Sequence, residues 1–287
     1  MARQPPHVRS RLPSPRTSRF NPVRSNEGVM SAFPVVSYNI RHATLDEGQD
    51  AWPRRKAAVF DLLGDLGPDV LGLQESTGDQ HAEVQRRLSG YEWAGVADDP
   101  GSGEHNPVGV RDRFSLRSAE TAWLSETPAV SGSVGWDASF ARVVTQLRLR
   151  DTAAGRELAV LNTHFDHRGP TARAESARLL RERVDALDCE AVVLGDFNAR
   201  PGSQPHEVLT GDGYDRSLAD ARTRATTVEG PETTVTDFAS PDPGRELDHV
   251  FVTDGLAVDR YRVCDRARED GRYPSDHLPL FVRVRFR

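Results

Sequence analysis

The run Ala191-Val192-Val193-Leu194-Gly195-Asp196-Phe197-Asn198 is the stretch around which the rest of the chain is best interpreted. Its apolar, β-branched part predicts a buried strand that ends near Gly195. Asp196 and Asn198 follow two residues apart, and on a strand or its extension this spacing puts both side chains on one face. Such a carboxylate and carboxamide can activate a reactant and donate a hydrogen bond to it. An ordinary Asp/Asn turn is the alternative.

Polar side chains also stand at the ends of other predicted strands. The first strand, 33–40, ends beside an asparagine, and the second, 69–75, ends in a glutamate. In α/β proteins the active site assembles where strands end. We therefore expect these side chains to meet at one edge of the protein: Asn39, Glu75, His164, Asp196, Asn198 and Asp248.

Helical and strand patterns are interleaved along the chain. Apolar residues at helical spacing predict helices over 52–66 and 174–187, whereas 143–150 and 158–163 read as an antiparallel strand pair. The polar segment 211–245 reads as loops. This pattern predicts an α/β (α+β) fold, a four-layer α/β/β/α sandwich of two mixed β-sheets flanked by helices. We expect one domain over residues 31–287.

The charge of the chain is acidic and unevenly distributed. Its formal net charge is −6, but residues 1–29 contain six arginines and one acid, so 30–287 carry 31 basic and 42 acidic residues. Lys56 is the single lysine. This balance argues against a generally basic nucleic-acid-binding surface, although a small basic patch stays open. An acidic, lysine-poor surface also favours a halophilic source.

The N-terminal segment and the cysteines set further expectations. Residues 1–29 are basic and rich in Pro and Ser, which predicts a disordered extension, and Met30 is an alternative start. An organellar transit peptide is the other interpretation. Because the segment lacks the apolar core of a secretory signal, we expect a cytoplasmic protein. No apolar run approaches about 18 residues, so we expect no membrane span. We also expect a monomer. Cys189 and Cys264 form no C-x-x-C motif, so neither disulfides nor a thiolate metal site is indicated.

Six short motifs occur together in a fixed order across about 250 residues. They are SYNI (37–40), LQE (73–75), NTHFDH (162–167), GDFN (195–198), LDHVFV (247–252) and SDHLPL (275–280). Taken together they resemble the endonuclease/exonuclease/phosphatase superfamily, which includes deoxyribonuclease I. That resemblance implies a metal-dependent hydrolase of phosphoric esters with the four-layer fold expected above.

The resemblance also implies a role for each matched residue. Glu75, with Asn39 beside it and Asp276 nearby, would bind the metal ion, and such oxygen ligands suit Mg²⁺ or Mn²⁺. Asp196 would deprotonate the attacking water, and Asn198 would hold a phosphate oxygen. Two histidines would face the phosphate, each with a carboxylate partner. These pairs are His277 with Asp248 and His164 with Glu104, and Arg142 matches an arginine near the phosphate.

Three functions are compatible with these residues. The first is divalent-metal-dependent hydrolysis of a phosphodiester, in a nucleic acid or another substrate, by attack of water. The second is a phosphomonoesterase acting on a small phosphorylated sugar or nucleotide. The third is a catalytically inactive binding module, which the complete set of polar residues disfavours. Because one such site serves many substrates in this superfamily, the motifs do not choose between the first two.

Overall fold

The computed structural model describes residues 31–95 and 103–287. The predictions about residues 1–29 and the start at Met30 lie outside these ranges. Within them the strands are β1 Phe33–Asn39, β2 Val70–Gln74, β3 Ser76–Thr77, β4 Tyr91–Ala94, β5 Glu104–His105, β6 Val108–Arg111, β7 Phe114–Trp123, β8 Val143–Asp151, β9 Arg156–His164, β10 Glu190–Asp196, β11 Leu218–Asp220, β12 Ala225–Glu229, β13 Asp248–Thr253, β14 Leu256–Val263 and β15 Leu280–Phe286.

The strands build two large sheets and one small ribbon. The first sheet has the order β12-β14-β15-β1-β2-β6-β4, and the second has the order β11-β13-β10-β9-β8-β7. Both are mixed, because β1 pairs with β2 and β9 pairs with β10 in parallel, while most other neighbours are antiparallel. β3 and β5 form the ribbon.

Helices cover the outer face of each large sheet. A core of aliphatic side chains, among them Val35 and Val70 of the first sheet and Val160 and Val192 of the second, fills the space between the sheets. Burying each such side chain contributes about 1.5–3 kcal/mol. The helices are α1 Trp52–Leu66, α2 Gly78–Arg87, α3 Pro170–Asp185, α4 Gln204–Thr210 and α5 Ala221–Arg224, with a 3₁₀ turn at Gly48–Asp50.

Two further cores join these helices to the sheets. Apolar residues of α1 and α2 pack on β1 and β2, and those of α3 and α4 pack on β9 and β10. The predicted four-layer α/β/β/α sandwich is therefore confirmed. No helix within 31–95 and 103–287 is both long and apolar enough to span a membrane.

Local predictions agree with the structure in many regular elements and fail in two places. The helix predicted over 52–66 is α1, which begins with Pro53 in its first turn and ends at Gly67 in a left-handed cap with φ 54°. The segment 211–245 is not only loops, because it contains β11, α5 and β12. β14 was also not predicted. Its polar residues Asp259 and Arg260 lie at a bulge against β15, which interrupts the alternation that reveals a strand.

Candidate active site

The candidate site lies where β9, β10 and β13 meet. In the register of this sheet, Asp196 is opposite Asp248 on one side and His164 on the other. β10 passes so close to β9 here that a Cβ at position 195 would collide with the carbonyl oxygen of Thr163. Gly195, with φ 149°, is therefore required immediately before Asp196.

Asp196 is buried among hydrogen-bond donors and histidines. Its Oδ2 accepts a hydrogen bond from Asn39 Nδ2 at 3.1 Å and lies 3.5 Å from His164 Nε2 and 3.7 Å from His277 Nε2. Burial and the neighbouring charge of Asp248 raise the pKa of Asp196 to about 7. A carboxylate with this pKa can accept a proton near neutral pH.

His277 and Asp248 form the pair that the motifs suggested. His277 Nδ1 is 2.7 Å from Asp248 Oδ2, and both side chains are buried. Burial alone would lower the pKa of His277, but the negative charges of Asp248 and Asp196 outweigh it and raise that pKa well above its usual value. His277 is therefore a cation at neutral pH, with Nε2 directed towards Asp196.

His164 has a different environment from the one expected. Arg142 Nη1 lies 2.9 Å from His164 Nδ1 and 3.3 Å from Glu104 Oε2, so Glu104 is linked to the histidine through the guanidinium. Burial and the charge of Arg142 lower the pKa of His164 well below its usual value. The carboxylate partner expected for His164 is therefore reached only through Arg142, and it does not make the ring a cation. Because arginine only donates, Nδ1 accepts and the neutral ring carries its proton on Nε2.

The residues expected to bind a metal ion gather at the end of β2. Glu75 accepts hydrogen bonds from Asn39 Nδ2 at 2.9 Å and from the His42 backbone N–H at 3.0 Å. Burial opposes its ionisation, but the charge of His277 and these hydrogen bonds lower its pKa. Asp276 Oδ2 lies 3.2 Å from Arg41 Nη1. Burial raises the pKa of Asp276, whereas that of Glu75 is lowered. The oxygen ligands of two such carboxylates fit Mg²⁺ or Mn²⁺.

Asn39 faces the site in a way that differs from the expectation. Its Nδ2 donates to both Glu75 and Asp196, and its Oδ1 accepts the backbone N–H of Arg41 at 3.0 Å. The amide nitrogen, and not the oxygen, therefore points towards the carboxylates. In this geometry Asn39 orients the two carboxylates.

Asn198 reaches the site by a turn and not by strand periodicity. It lies beyond the end of β10 with a left-handed φ of 46°, and its backbone N–H donates to Asp196 Oδ1 at 2.9 Å. Its Nδ2 donates to the carbonyl of Phe165 at 3.0 Å and is 3.2 Å from His164 Nε2. The turn interpretation of this stretch therefore holds, and the turn brings Asn198 beside His164.

A second cluster of titratable side chains lies behind the site. Asp220 Oδ2 is 3.1 Å from His206 Nε2 and 3.3 Å from His249 Nδ1, and His249 Nε2 is 2.9 Å from the carbonyl oxygen of Ala199. No sequence motif joins these three residues, so their contact could not be predicted. They tie β11, β13 and α4 to the turn that carries Asn198.

A cavity of about 500 Å³ opens over the predicted residues. Its walls also contain residues that the sequence analysis did not single out, including Arg41, Phe140, His167 and Arg245. Phe140 is 45% exposed, and its ring stacks on that of His167 with a centroid distance of 5.9 Å. The structure thus brings the following predicted residues to one cavity: Glu75, Glu104, Arg142, His164, Asp196, Asn198, Asp276 and His277. Asn39 and Asp248 lie directly behind it through the contacts described above.

Comparisons with known proteins agree on the architecture. Residues 36–277 match the model of the Endonuclease/Exonuclease/phosphatase family. A family protein from Bacteroides vulgatus is 30% identical, with a TM-score of 0.84 over 90% of this chain and 100% of the other. One from Bacteroides thetaiotaomicron is also 30% identical, with a TM-score of 0.81 over 90% and 96% of the two chains. A mannosyl-6-phosphatase from Bacteroides thetaiotaomicron is 32% identical, with a TM-score of 0.80 over 88% and 100%. The search of curated proteins gave no match.

Proposed function

The chain belongs to the endonuclease/exonuclease/phosphatase family, and we propose that it hydrolyses a phosphoester by attack of water with the help of Mg²⁺ or Mn²⁺. The observation that carries this proposal is the position of Asp196. It is a buried carboxylate with a pKa near 7, it lies within 4 Å of two histidines, and it shares a donor, Asn39, with Glu75.

The roles follow from charge and hydrogen-bonding capacity. Asp196 accepts the proton of the attacking water, because its raised pKa keeps it basic enough at neutral pH. The cationic His277 neutralises charge on the phosphate oxygens, and Asp248 keeps it protonated. His164 donates from Nε2 as a neutral ring, and Asn198 supplies amide donors beside it.

A divalent ion would be held by Glu75 and Asp276. When bound, it supplies charge neutralisation on the non-bridging oxygens of the substrate. Asn39 and the backbone N–H of His42 fix the orientation of Glu75 in this scheme. An inactive binding module is disfavoured, because the proposed base, both histidines and the ionised Glu75 are all in place.

The cavity favours a small phosphorylated molecule as the substrate, with a phosphodiester as the second candidate. Its volume of about 500 Å³ accommodates a sugar phosphate, and the exposed Phe140 ring offers a flat apolar wall for the rest of the molecule. The acidic balance of the chain argues against long nucleic acids, whose binding depends on many basic contacts. The likeness to the mannosyl-6-phosphatase points the same way.

A substrate panel tests this proposal. Purified protein should be assayed with Mg²⁺ and with Mn²⁺ against p-nitrophenyl phosphate, bis-p-nitrophenyl phosphate, several sugar 6-phosphates, plasmid DNA and RNA. We expect the highest kcat/KM with a sugar phosphate. Faster cleavage of a diester would instead select the second candidate. No hydrolysis of any phosphoester with either metal would reject the proposal.

A further inference from the structure

A second cavity, of about 470 Å³, adjoins the candidate active site. The two cavities share His167, Asn198 and Arg245 as wall residues, so they lie side by side at the turn that follows Asp196. The chain leaves the site along this second cavity, whose floor includes Ala199 and Arg200. A substrate whose ester lies at Asp196 can therefore extend into it.

The charge of this second cavity is opposite to that of the chain. Three arginines line it, Arg173, Arg200 and Arg245, and none of its lining residues in the described ranges is Asp or Glu. The first cavity, by contrast, contains four carboxylates. Since acidic residues outnumber basic ones in the whole sequence, a cavity lined only by cations among its charged groups is a specific local feature.

These guanidinium groups keep donors available for a ligand. Arg173 Nη1 donates to the carbonyl of Asp166 at 2.9 Å, which leaves its other nitrogens unused by that bond. Arg245 pairs with Asp242 at 3.2 Å, but both side chains are nearly half exposed, and such surface pairs are weak. Arg200 is exposed and has no ion-pair partner among residues 31–95 and 103–287.

We propose that this second cavity is a subsite for a second anionic group, a phosphate or a carboxylate, on the part of the substrate beyond the ester that is cleaved. Arg200 and Arg245 bind that group by charge-assisted hydrogen bonds, for which the planar guanidinium is well suited. The inference rests on the proposed function and narrows its substrate class to phosphoesters that carry two anionic groups.

The test compares substrates that differ at the remote end. Glucose 6-phosphate has one anionic group, 6-phosphogluconate adds a carboxylate, and glucose 1,6-bisphosphate adds a phosphate. We expect the wild-type protein at low salt to have a higher kcat/KM for the two substrates that carry a second anionic group. The double variant Arg200→Ala/Arg245→Ala should reduce that preference about tenfold. A change of this size is typical of losing hydrogen bonds to a charged group that is exposed or partly buried. Arg86→Ala, an exposed arginine on α2, is the matched control and should keep the preference.

A binding measurement provides a second readout that does not need turnover. Calorimetry with inorganic pyrophosphate should show weaker binding to the double variant than to the wild type and the control. An unchanged preference together with unchanged pyrophosphate affinity would overturn the subsite. Failure of p-nitrophenyl phosphate, its bis ester and the sugar phosphates to react would reject the proposed function instead, and the pyrophosphate measurement would then decide the subsite alone.

Discussion

His277 Nδ1 lies 2.7 Å from Asp248 Oδ2, although the two residues are 29 positions apart in the chain. Because Asp248 favours the charged form of His277, it raises the pKa of that histidine against the opposing effect of burial. The active form of the site therefore carries a positive charge at His277 up to a pH well above the usual range of histidine.

Replacing Asp248 by Asn removes this effect. The pKa of His277 then falls, so the basic limb of the kcat/KM profile should move to lower pH, and the maximum should also decrease. The pH profile and the melting temperature should be measured together on Asp248→Asn. The matched control is Asp259→Asn, which removes a surface carboxylate paired with Arg285. A variant with a lower melting temperature but the wild-type pH profile of kcat/KM would show that Asp248 only stabilises the end of the sheet.

Glu75→Gln should weaken the binding of the metal ion. The substitution removes the charge of a carboxylate whose pKa is lowered but keeps its shape, so activity should recover in part at high Mg²⁺. The measurement is the concentration of Mg²⁺ that gives half-maximal activity, with Glu182→Gln, at an exposed position of α3, as the control. An unchanged half-maximal concentration in Glu75→Gln would remove Glu75 from the metal site.

Arg142→Lys should lower kcat/KM about tenfold, although it keeps the charge. One guanidinium nitrogen contacts both His164 and Glu104, and a lysine ammonium on a differently shaped stem does not reproduce this fixed geometry. His164 would then lose the contact that keeps its proton on Nε2. The steady-state rate and the ¹⁵N chemical shifts of the histidine rings check this prediction. Wild-type activity together with unchanged shifts would contradict it.

Asp220→Asn should destabilise the fold by about 3–5 kcal/mol, the usual cost of breaking a buried ion pair by removing one partner. Burial opposes the charge of Asp220, but hydrogen bonds from His206 and His249 lower its pKa, and Asp220 in turn raises the pKa of His249. The raised pKa of His249 contributes stability that is complete below its unfolded pKa and is lost as pH rises through the folded value. Chemical unfolding at pH 6 and at pH 9 should therefore show a larger penalty at pH 6, and an equal penalty would exclude a cationic His249.

The positions of Glu75, His164 and Asp196 at strand ends could be predicted from the sequence, because each of them follows a run of apolar, β-forming residues. β9 and β10 are parallel neighbours, so His164 and Asp196 had to end at one edge of the second sheet. Glu75 follows β2 of the first sheet and meets them because the two sheets stack on each other. The four-layer architecture followed from the same alternation of helices and strands. The halophilic source, the cytoplasmic location and the monomeric state stay predictions.

The contacts that set the protonation states could not be predicted. Arg142 and His164 meet because β8 and β9 pair in one particular register, and the sequence gives no separate signal for that contact. The left-handed turn at Asn198 and the orientation of the Asn39 amide likewise depend on hydrogen bonds between distant segments. The Asp220 cluster joins His249 of the LDHVFV motif to Asp220 and His206, which belong to no motif, so the sequence does not show that the three meet.

The initial rate of Asp196→Asn on the best substrate of the panel, at saturating Mg²⁺, tests the central claim most directly. Because Asn cannot accept the proton of water, we expect a rate about 10²–10⁴-fold below the wild type, with the fold and the metal affinity retained. The wild-type rate itself should disappear when a chelator removes the metal ion. A variant that keeps more than about a third of the wild-type rate, well outside the range for loss of a general base, would place activation of the water elsewhere.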